Sequence, residues 1–379
     1  MPAIAVAAFA RTPIAKMKGE LAAFPAFRLA ALAAARLLGE SPLAPLVDAV
    51  VYGTSRPAGQ GPNPARRFGR EAGLPDSVPA HTVSSACMSG MDALLSARRM
   101  ILCGEARAVL VGAAESMSNT PMAIFPRHDD PKAHLFADLH HADGLFCPHT
   151  GRLMVETAER LALESGITRR ECDEFAVRSH DRFRAAARLH EADVAPVETP
   201  AGVLDRDVLP RSPERLRRVP ELKPLFGEGG ILTAATVAPC ADGGAALLLC
   251  EAELAPGAPV LTGAVRTAGR PDDVCLMPVP ALRKLAERTG RGVDSFAMLE
   301  INEGFASQVL ACCGELGIPP ERVNRFGGAL ALGHPTGMSG LRLVGLAARA
   351  VREGEVPDAA VAVPAAGGMG AAVLLEAAP

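Results

Sequence analysis

Short apolar runs alternate along the chain with longer stretches in which apolar residues recur every three or four positions. The runs are typical of buried β-strands and occur at 47–53, 106–115, 245–255, 294–302 and 359–368. The stretches between them, for example AFRLAALAAARLLG and SGLRLVGLAARAVREG, have the apolar stripe of amphipathic helices. Because strands and helices alternate, we predict a layered α/β fold built on a largely parallel sheet.

An internal repeat is visible in two helix-and-strand segments. Ser89 opens SGMDALLSARRMILCGE, which leads into the strand AVLVGAAESM. Ser339 opens SGLRLVGLAARAVREGE, which leads into AVAVPAAGGM at an offset of 250 residues. We predict two copies of one strand–loop–helix–strand unit, each giving a loop to a shared central cleft. A chance similarity between two alanine-rich helices is the alternative.

The middle of the chain differs from the two ends in composition and periodicity. Residues 119–150 are rich in Pro, His and Asp with little periodicity, and a strongly helical stretch and an Arg/Pro-rich stretch follow. We interpret this region as an inserted loop domain that covers the substrate. The predicted division is therefore a first half at 1–117, the insertion at 118–240 and a second half at 241–379.

Composition narrows the class of protein. The 379 residues are 49% hydrophobic and 21% charged with a net charge of −3, which predicts an ordinary globular interior. With one Tyr, no Trp and no basic field, we expect no nucleic-acid partner. We also expect no membrane span, because no run of eighteen apolar residues occurs. We interpret the segment MPAIAVAAFARTPIAK as a first β-strand rather than a signal peptide.

The cysteines and histidines bear on compartment and metal binding. Nine cysteines without a CxxC pair indicate a reduced, cytoplasmic protein with free thiols. One cysteine and five histidines lie within residues 119–150, and their spacing fits no compact zinc pattern, so we predict no metal site. These residues are His128, His134, His140, His141, Cys147 and His149.

Cys87 is the first candidate for chemistry. It lies in HTVSSACMSGMDALL, between an apolar run and a helix, with small neighbours that would let a substrate approach. A helix N-terminus stabilises a thiolate, so we expect a lowered pKa and a nucleophilic sulfur. A buried, inert cysteine is the alternative.

Two further candidates come from the second half. His334 follows Gly333 in GGALALGHPTG, the loop that the repeat pairs with Cys87, and is a candidate general base. Asn302, in LEINEGFA, could hold a water that stabilises an oxyanion. The alternatives are a core histidine and a plain helix N-cap.

Four ordered segments resemble those of thiolases: the Cys87 segment, NEGFA, GGALALGHPTGMSG and AAGGMGAAVLLE. Weaker similarity extends over essentially the whole chain. The resemblance implies a five-layered αβαβα core made of two duplicated halves, with a loop domain inserted. It also implies an acyltransferase that takes a coenzyme A thioester as substrate, holds no permanent cofactor and forms a homodimer or homotetramer.

The resemblance assigns roles to individual residues. Cys87 would be the acylated nucleophile, His334 its base, and Asn302 would hold the water of one oxyanion hole. The backbone N–H groups of Cys87 and Ala366 would form a second oxyanion hole. The residues implied for binding the acyl group and coenzyme A are Met154, Ala238 and Arg211. A solvated face is the alternative for the arginine cluster around Arg211.

The chain also departs from the thiolase pattern. Most thiolases carry a second cysteine, an acid/base, where this chain has Pro364, and sterol-carrier-type thiolases carry it where this chain has Gly304. Proline and glycine side chains cannot take a proton. On a helix that runs on from Asn302, Cys312 and Cys313 would be too distant to replace it, and Cys240 stays open.

The sequence is therefore compatible with three functions. The first is Claisen condensation, or thiolysis of a 3-ketoacyl-CoA, through an acyl-enzyme on Cys87. The second is decarboxylative condensation or thioester hydrolysis, neither of which needs a second cysteine. The third is a non-catalytic, thiolase-like scaffold subunit.

Overall fold

The computed structural model of the protein describes residues 2–126 and 134–378. The strands are β1 (Ile4–Arg11), β2 (Ala15–Lys16), β3 (Ala49–Gly53), β4 (Ala80–Val83), β5 (Ala108–Ser116), β6 (Met122–Pro126), β7 (His134–Asp138), β8 (Phe146–Cys147), β9 (Arg152–Leu153), β10 (Val197–Thr199), β11 (Gly202–Leu204), β12 (Ala241–Glu251), β13 (Val260–Ala268), β14 (Met298–Ile301), β15 (Asp358–Ala365) and β16 (Met369–Glu376).

The α-helices alternate with these strands. They are α1 (Ala26–Glu40), α2 (Pro64–Glu71), α3 (Ser89–Leu102), α4 (Leu139–Ala142), α5 (Met154–Glu164), α6 (Arg169–Ala185), α7 (Ala187–Glu191), α8 (Pro213–Arg217), α9 (Pro278–Thr289), α10 (Ala306–Leu316), α11 (Ala329–Leu332) and α12 (Thr336–Arg352). In the described part of the chain, every helix is too short or too polar to cross a bilayer.

The predicted duplication is present in the strand order. The first half of the sheet runs β4-β3-β5-β12-β1 and the second runs β14-β15-β16-β13. In each half a parallel pair (β3 with β5, β14 with β15) is followed by two antiparallel pairs. The halves meet where Ala5 of β1 pairs with Val260 of β13. Matching order and matching direction are what two copies of one unit produce.

The prediction of a largely parallel sheet is wrong. The chain returns from β15 to β16 through a tight hairpin, and β12 lies antiparallel to both of its neighbours. The sequence suggested parallel strands because these strands are apolar throughout. They are apolar because helices cover both faces of each half of the sheet. All nine residues of β5 are buried, so the strand shows no alternation of polar and apolar positions.

Alternate side chains of each strand pack against different helical layers, and this produces five layers. On β5, Val109 and Val111 point into a central core with α3 and α12, while Leu110 points outward against α1 and α2. On β15, Val361 points into the same central core. The alternate β15 residues pack outward with α9 and α10. The order is therefore helix, sheet, helix, sheet, helix, as the family resemblance implies.

The two central helices approach each other closely near their N-termini. A Cβ on Gly90 of α3 would lie 2.6 Å from the carbonyl oxygen of Gly337 on α12. Only glycine fits this contact. Helix α12 begins at Thr336, three residues before the predicted start at Ser339. This contact brings the loops that precede α3 and α12, and hence Cys87 and His334, to one place.

The region between the halves has its own small elements. It includes the hairpins β6–β7, β8–β9 and β10–β11 and the helices α4 to α8. Strand β12 pairs with β1 and β5 and so completes the sheet of the first half. The division into 1–117, 118–240 and 241–379 stays a proposal for the order of the units; within it, β12 (Ala241–Glu251) pairs with strands of the first half rather than of the second.

Candidate active site

One cavity of about 310 Å³ brings the predicted site residues together. It is lined by Cys87, Asn302 and His334, which come from three separate segments of the chain. Residues predicted for other roles also line it, namely Met154, Ala238, Pro364 and Ala366. Most of the remaining wall is apolar, so a charged group inside would meet little water.

A tight turn presents Cys87 to the cavity. Ala86 has a φ of 48°, a left-handed conformation that costs energy for a residue with a side chain. The hydroxyl of Ser89 holds the turn by donating to the carbonyl of Ala86 at 2.7 Å and accepting from the N–H of Ser85 at 2.9 Å. Cys87 therefore lies two residues before α3 on a turn whose strain is offset by these bonds.

The electrostatics of Cys87 differ from the sequence prediction. Burial raises the pKa of its thiol to about 11, and the charge of Glu115 acts in the same direction. The guanidinium of Arg56 and the backbone N–H groups of Cys87 and Ala366 lower this pKa by less. The expected lowered pKa is thus wrong, because desolvation outweighs the guanidinium of Arg56 and the two backbone N–H groups. The resting side chain is a neutral thiol that needs a base.

His334 lines the same cavity as Cys87 and is the candidate for such a base. Its Nδ1 lies 2.7 Å from the hydroxyl oxygen of Ser339, which itself donates to the carbonyl of Pro335 at 3.0 Å. With the hydroxyl proton of Ser339 directed to Pro335, Nδ1 carries the ring hydrogen and Nε2 keeps its lone pair; this is the tautomer that we adopt. Burial, followed by the charges of Arg342 and Arg56, lowers the pKa of His334 to about 3. The imidazole is therefore neutral and able to accept a proton.

Asn302 follows β14 and is not a helix cap. The N-cap of α10 is Phe305, and the Oδ1 atom of Asn302 is buried without a hydrogen-bond partner. The neighbouring Glu303 accepts hydrogen bonds from Ser179, Asn324 and the N–H of Leu330. These bonds tie the Asn302 segment to the loop that carries His334. A buried amide oxygen without a partner is available for a ligand or a water.

The position expected for a second cysteine opens on the cavity without an ionisable group. Both Pro364 and Gly304 are lining residues. Cys312 and Cys313 are buried on α10 among outer-layer apolar residues and do not line the cavity. Cys240 does line it.

The residues predicted to bind coenzyme A divide into two groups. Met154 and Ala238 line the cavity, whereas Arg211 lies outside its lining. The guanidinium of Arg211 donates to the carbonyl of Ala234 at 2.6 Å. In the cluster that follows, Arg217 and Arg218 are exposed and pair with nearby glutamates, as a solvated face would.

The described residues contain no group of three or more His, Cys, Asp or Glu side chains that could hold a metal ion. Of the histidine-rich segment, His134, His140, His141, Cys147 and His149 are among the described residues. His128 lies outside the described residues.

A buried polar network beside the cavity was missed from the sequence. Arg56 donates to the hydroxyl of Thr336 at 2.7 Å and lies 3.9 Å from the carboxylate of Glu115. The same carboxylate accepts from the N–H of Gly337 at 3.0 Å. An arginine three residues after the buried strand β3 was the available signal, because side chains at strand ends often reach a site.

The comparisons with known proteins agree with each other. The family models "Thiolase, N-terminal domain" and "Thiolase, C-terminal domain" match residues 4–253 and 258–377. The acetyl-CoA acetyltransferase of Pseudomonas aeruginosa is 36% identical over 366 residues, 91% of each protein. The mitochondrial acetyl-CoA acetyltransferase A of Xenopus laevis is also 36% identical and covers 98% of this chain and 91% of its own. Crystallised human mitochondrial 3-ketoacyl-CoA thiolase superposes with a TM-score of 0.93 at 29% identity, covering 100% of this chain and 99% of its own.

Proposed function

The chain belongs to the thiolase family, and from this premise we propose that it transfers acyl groups through an acyl-enzyme on Cys87. The acyl-enzyme then undergoes Claisen condensation with a second acyl-CoA, or is formed by thiolysis of a 3-ketoacyl-CoA in the reverse direction. The substrate is a coenzyme A thioester, and no permanently bound cofactor takes part.

One observation carries the proposal. Cys87, Asn302 and His334 come from distant parts of the chain and line one mostly apolar cavity. A neutral thiol, a neutral imidazole with a free lone pair and a buried amide oxygen without a partner are the groups that acyl transfer to sulfur requires.

The acylation step follows from these protonation states. Nε2 of His334 takes the thiol proton while the sulfur of Cys87 attacks the thioester carbonyl carbon, and the proton then passes to the departing coenzyme A sulfur. The N–H groups of Cys87 and Ala366, which face the sulfur, stabilise the oxyanion of the acyl group on Cys87. Asn302, through a water, stabilises the oxyanion of the second thioester, and Nε2 of His334 adds a hydrogen bond there only while it holds a proton.

Binding of the coenzyme A chain is proposed on the resemblance and on position. Met154 and Ala238 contact the acyl group and the pantetheine arm at the cavity wall. Arg211 contacts the nucleotide end from outside the cavity, where its guanidinium is half-buried.

Decarboxylative condensation or hydrolysis is the second candidate. The observation that favours it is the position of Pro364, which faces the cavity but can neither take nor give a proton. A malonyl thioester generates an enolate by losing carbon dioxide, so this route would need no base there. The scaffold subunit considered from the sequence has no observation in its favour, since the relatives are named as acyltransferases.

Activity assays separate these candidates. We expect thiolysis of short and medium 3-ketoacyl-CoAs and condensation of acetyl-CoA, both abolished in Cys87→Ala. Condensation with malonyl-CoA but not with acetyl-CoA would support the decarboxylative route, and release of free acid alone would support hydrolysis. An unmodified protein mass after incubation with acetyl-CoA would support the scaffold.

Two predictions from the sequence remain proposals. The cytoplasmic location is one, and the named mitochondrial relatives make a localisation experiment with the tagged full chain the appropriate test. A homodimer or homotetramer is the other, and light scattering on the eluted protein measures it.

A further inference from the structure

Condensation needs a base whose position the family resemblance leaves empty in this chain. After Cys87 is acylated, a proton must leave the α-carbon of the second acyl-CoA. Cys87 and His334 are committed to the acyl-enzyme. In the described lining of the cavity, the other titratable side chains are those of His141, Cys240 and Cys275.

Cys240 stands out because it has an imidazole partner. Its sulfur lies 3.9 Å from Nε2 of His140, within reach of a long S–H···N hydrogen bond. His140 lies on α4, and its Nδ1 is buried with no hydrogen-bond partner. Helix α4 and the loop before β12 thus bring together a thiol and an imidazole that are 100 positions apart in the chain.

The backbone holds Cys240 next to the proposed acylation machinery. The N–H of His334 donates to the carbonyl of Pro239 at 2.9 Å, and the N–H of Met17 donates to the carbonyl of Cys240 at 3.1 Å. The same short loop therefore supports the backbone of His334 and presents Cys240 to the cavity. Cys240 therefore lies on the wall of the cavity that Cys87 and His334 also line, where a base for the second acyl-CoA is needed.

A buried positive charge lies beside this pair. Nε and Nη2 of Arg56 are buried without hydrogen-bond partners. A Cβ on Gly144, a cavity-lining residue, would lie 1.9 Å from Nη2, so the guanidinium packs directly against that glycine. Burial raises the pKa of Cys240, the charge of Arg56 lowers it and that of Asp242 raises it. Burial and Arg56 also lower the pKa of His140, which leaves a neutral imidazole able to accept a proton.

The other two candidates lack these features. Burial raises the pKa of Cys275 to about 12, and in the described structure no imidazole lies within hydrogen-bonding distance of its sulfur. His141 is exposed and stacks on Phe146, with the ring centroids 6.1 Å apart.

We propose that Cys240, with His140 as its proton acceptor and Arg56 as a positioning charge, is the acid/base that replaces the missing second cysteine. This inference rests on the proposed condensation and thiolysis function. Cys240 is the catalytic residue of the set, because it faces the cavity, whereas His140 and Arg56 act through it.

The proton balance of the step is as follows. Nε2 of His140 takes the thiol proton of Cys240, and the resulting thiolate removes a proton from the α-carbon of the second acyl-CoA. The carbon electron pair then forms a bond to the carbonyl carbon of the acyl group on Cys87, and the bond between that carbon and the sulfur breaks. Cys87 leaves as a thiolate and takes the proton now on Cys240, and His140 returns its own proton to the Cys240 sulfur. Thiolysis follows the same steps in reverse.

Deuterium exchange measures the proton removal alone. The probe is a ketone analogue of acetyl-CoA in which a methylene group replaces the thioester sulfur, so that it cannot acylate Cys87. In deuterated buffer we expect the native enzyme to exchange the α-protons of this probe. We expect exchange to fall by roughly 100-fold or more in Cys240→Ala and also in Cys240→Ser, whose hydroxyl is too weak an acid to serve.

Matched controls make the result specific. Acetylation of Cys87 by acetyl-CoA is measured on the same samples as a test of folding, and the ratio of exchange to acetylation is compared. We expect this ratio to fall in the Cys240 variants and in His140→Gln, and to stay at the native value in Cys275→Ala and in Cys103→Ala, which removes an exposed thiol.

Each other outcome overturns the proposal. A native ratio in both Cys240 variants, or an equal fall in Cys275→Ala, would remove Cys240 as the base and leave the proposed function intact. If the native enzyme thiolyses a 3-ketoacyl-CoA but does not exchange the α-protons of the probe, Cys240 is again excluded as the base and the proposed function stands. Absence of both exchange and thiolysis, with Cys87 still acetylated, would overturn the proposed function as well.

Discussion

The hydrogen bond from His334 to Ser339 makes a direct prediction about acylation. In Ser339→Ala, Nδ1 of His334 loses the hydroxyl oxygen that lies 2.7 Å away. Without that acceptor, the tautomer with its hydrogen on Nδ1 is no longer favoured. The carbonyl of Pro335 still accepts the backbone N–H groups of Met338 and residue 339, so the variant affects chiefly the imidazole. A tautomer with its proton on Nε2 could not take the proton of Cys87.

The size of the effect follows from the burial of the site. A buried polar group that loses its partner costs about 1–3 kcal/mol, which corresponds to a fall of roughly 5- to 150-fold in rate if it acts on the acylation barrier. The assay is the rate at which acetyl-CoA adds an acetyl group to the protein, followed by intact mass. Ser116→Ala is the control, since that buried serine donates to the carbonyl of Phe24 at 2.9 Å and does not line the cavity. If Ser339→Ala acetylates as fast as the control, Ser339 does not set the tautomer of His334.

Three further predictions concern the nucleophile, the empty position and stability. The rate of alkylation of Cys87 by iodoacetamide should rise about tenfold per pH unit and level off only near pH 11; a plateau near neutral pH would indicate a thiolate–imidazolium pair instead. In the Cys240→Ala background, Pro364→Cys should raise the rate of acetyl-CoA condensation by roughly tenfold or more, and an unchanged rate would show that residue 364 does not reach the substrate. Burial raises the pKa of Glu300 from 4.5 to about 8, so the folded state binds the proton more tightly and loses stability as the pH rises through that interval. Glu300→Gln should flatten this dependence in urea unfolding, and an equal slope in both proteins would contradict it.

Much of the architecture could be predicted because it depends on local pattern and repetition. The helices α1, α3 and α12 have long apolar stripes, and the repeat around Ser89 and Ser339 indicates two similar halves. The direction of β12 and β16 could not be predicted, since a strand buried on both faces has the same composition in either direction.

The sequence predicted which residues meet at the cavity, whose role as the active site stays a proposal, but it did not predict their electrostatics. A helix N-terminus is visible in the sequence, whereas the desolvation that raises the pKa of Cys87 depends on the whole cavity. The approach of Arg56, His140 and Cys240 was not predictable, because three separate segments come together only in the folded chain. Pairing of a thiol with an imidazole across 100 residues leaves no spacing pattern.

The identity of the acylated residue is the most direct test of the account. After incubation with acetyl-CoA, the protein is digested and the modified peptide is sequenced by mass spectrometry. We predict one acetyl group on the sulfur of Cys87, absent from Cys87→Ala and formed much more slowly in His334→Ala. An acetyl group on another cysteine in the native protein, or no modification at all, would contradict the central claim.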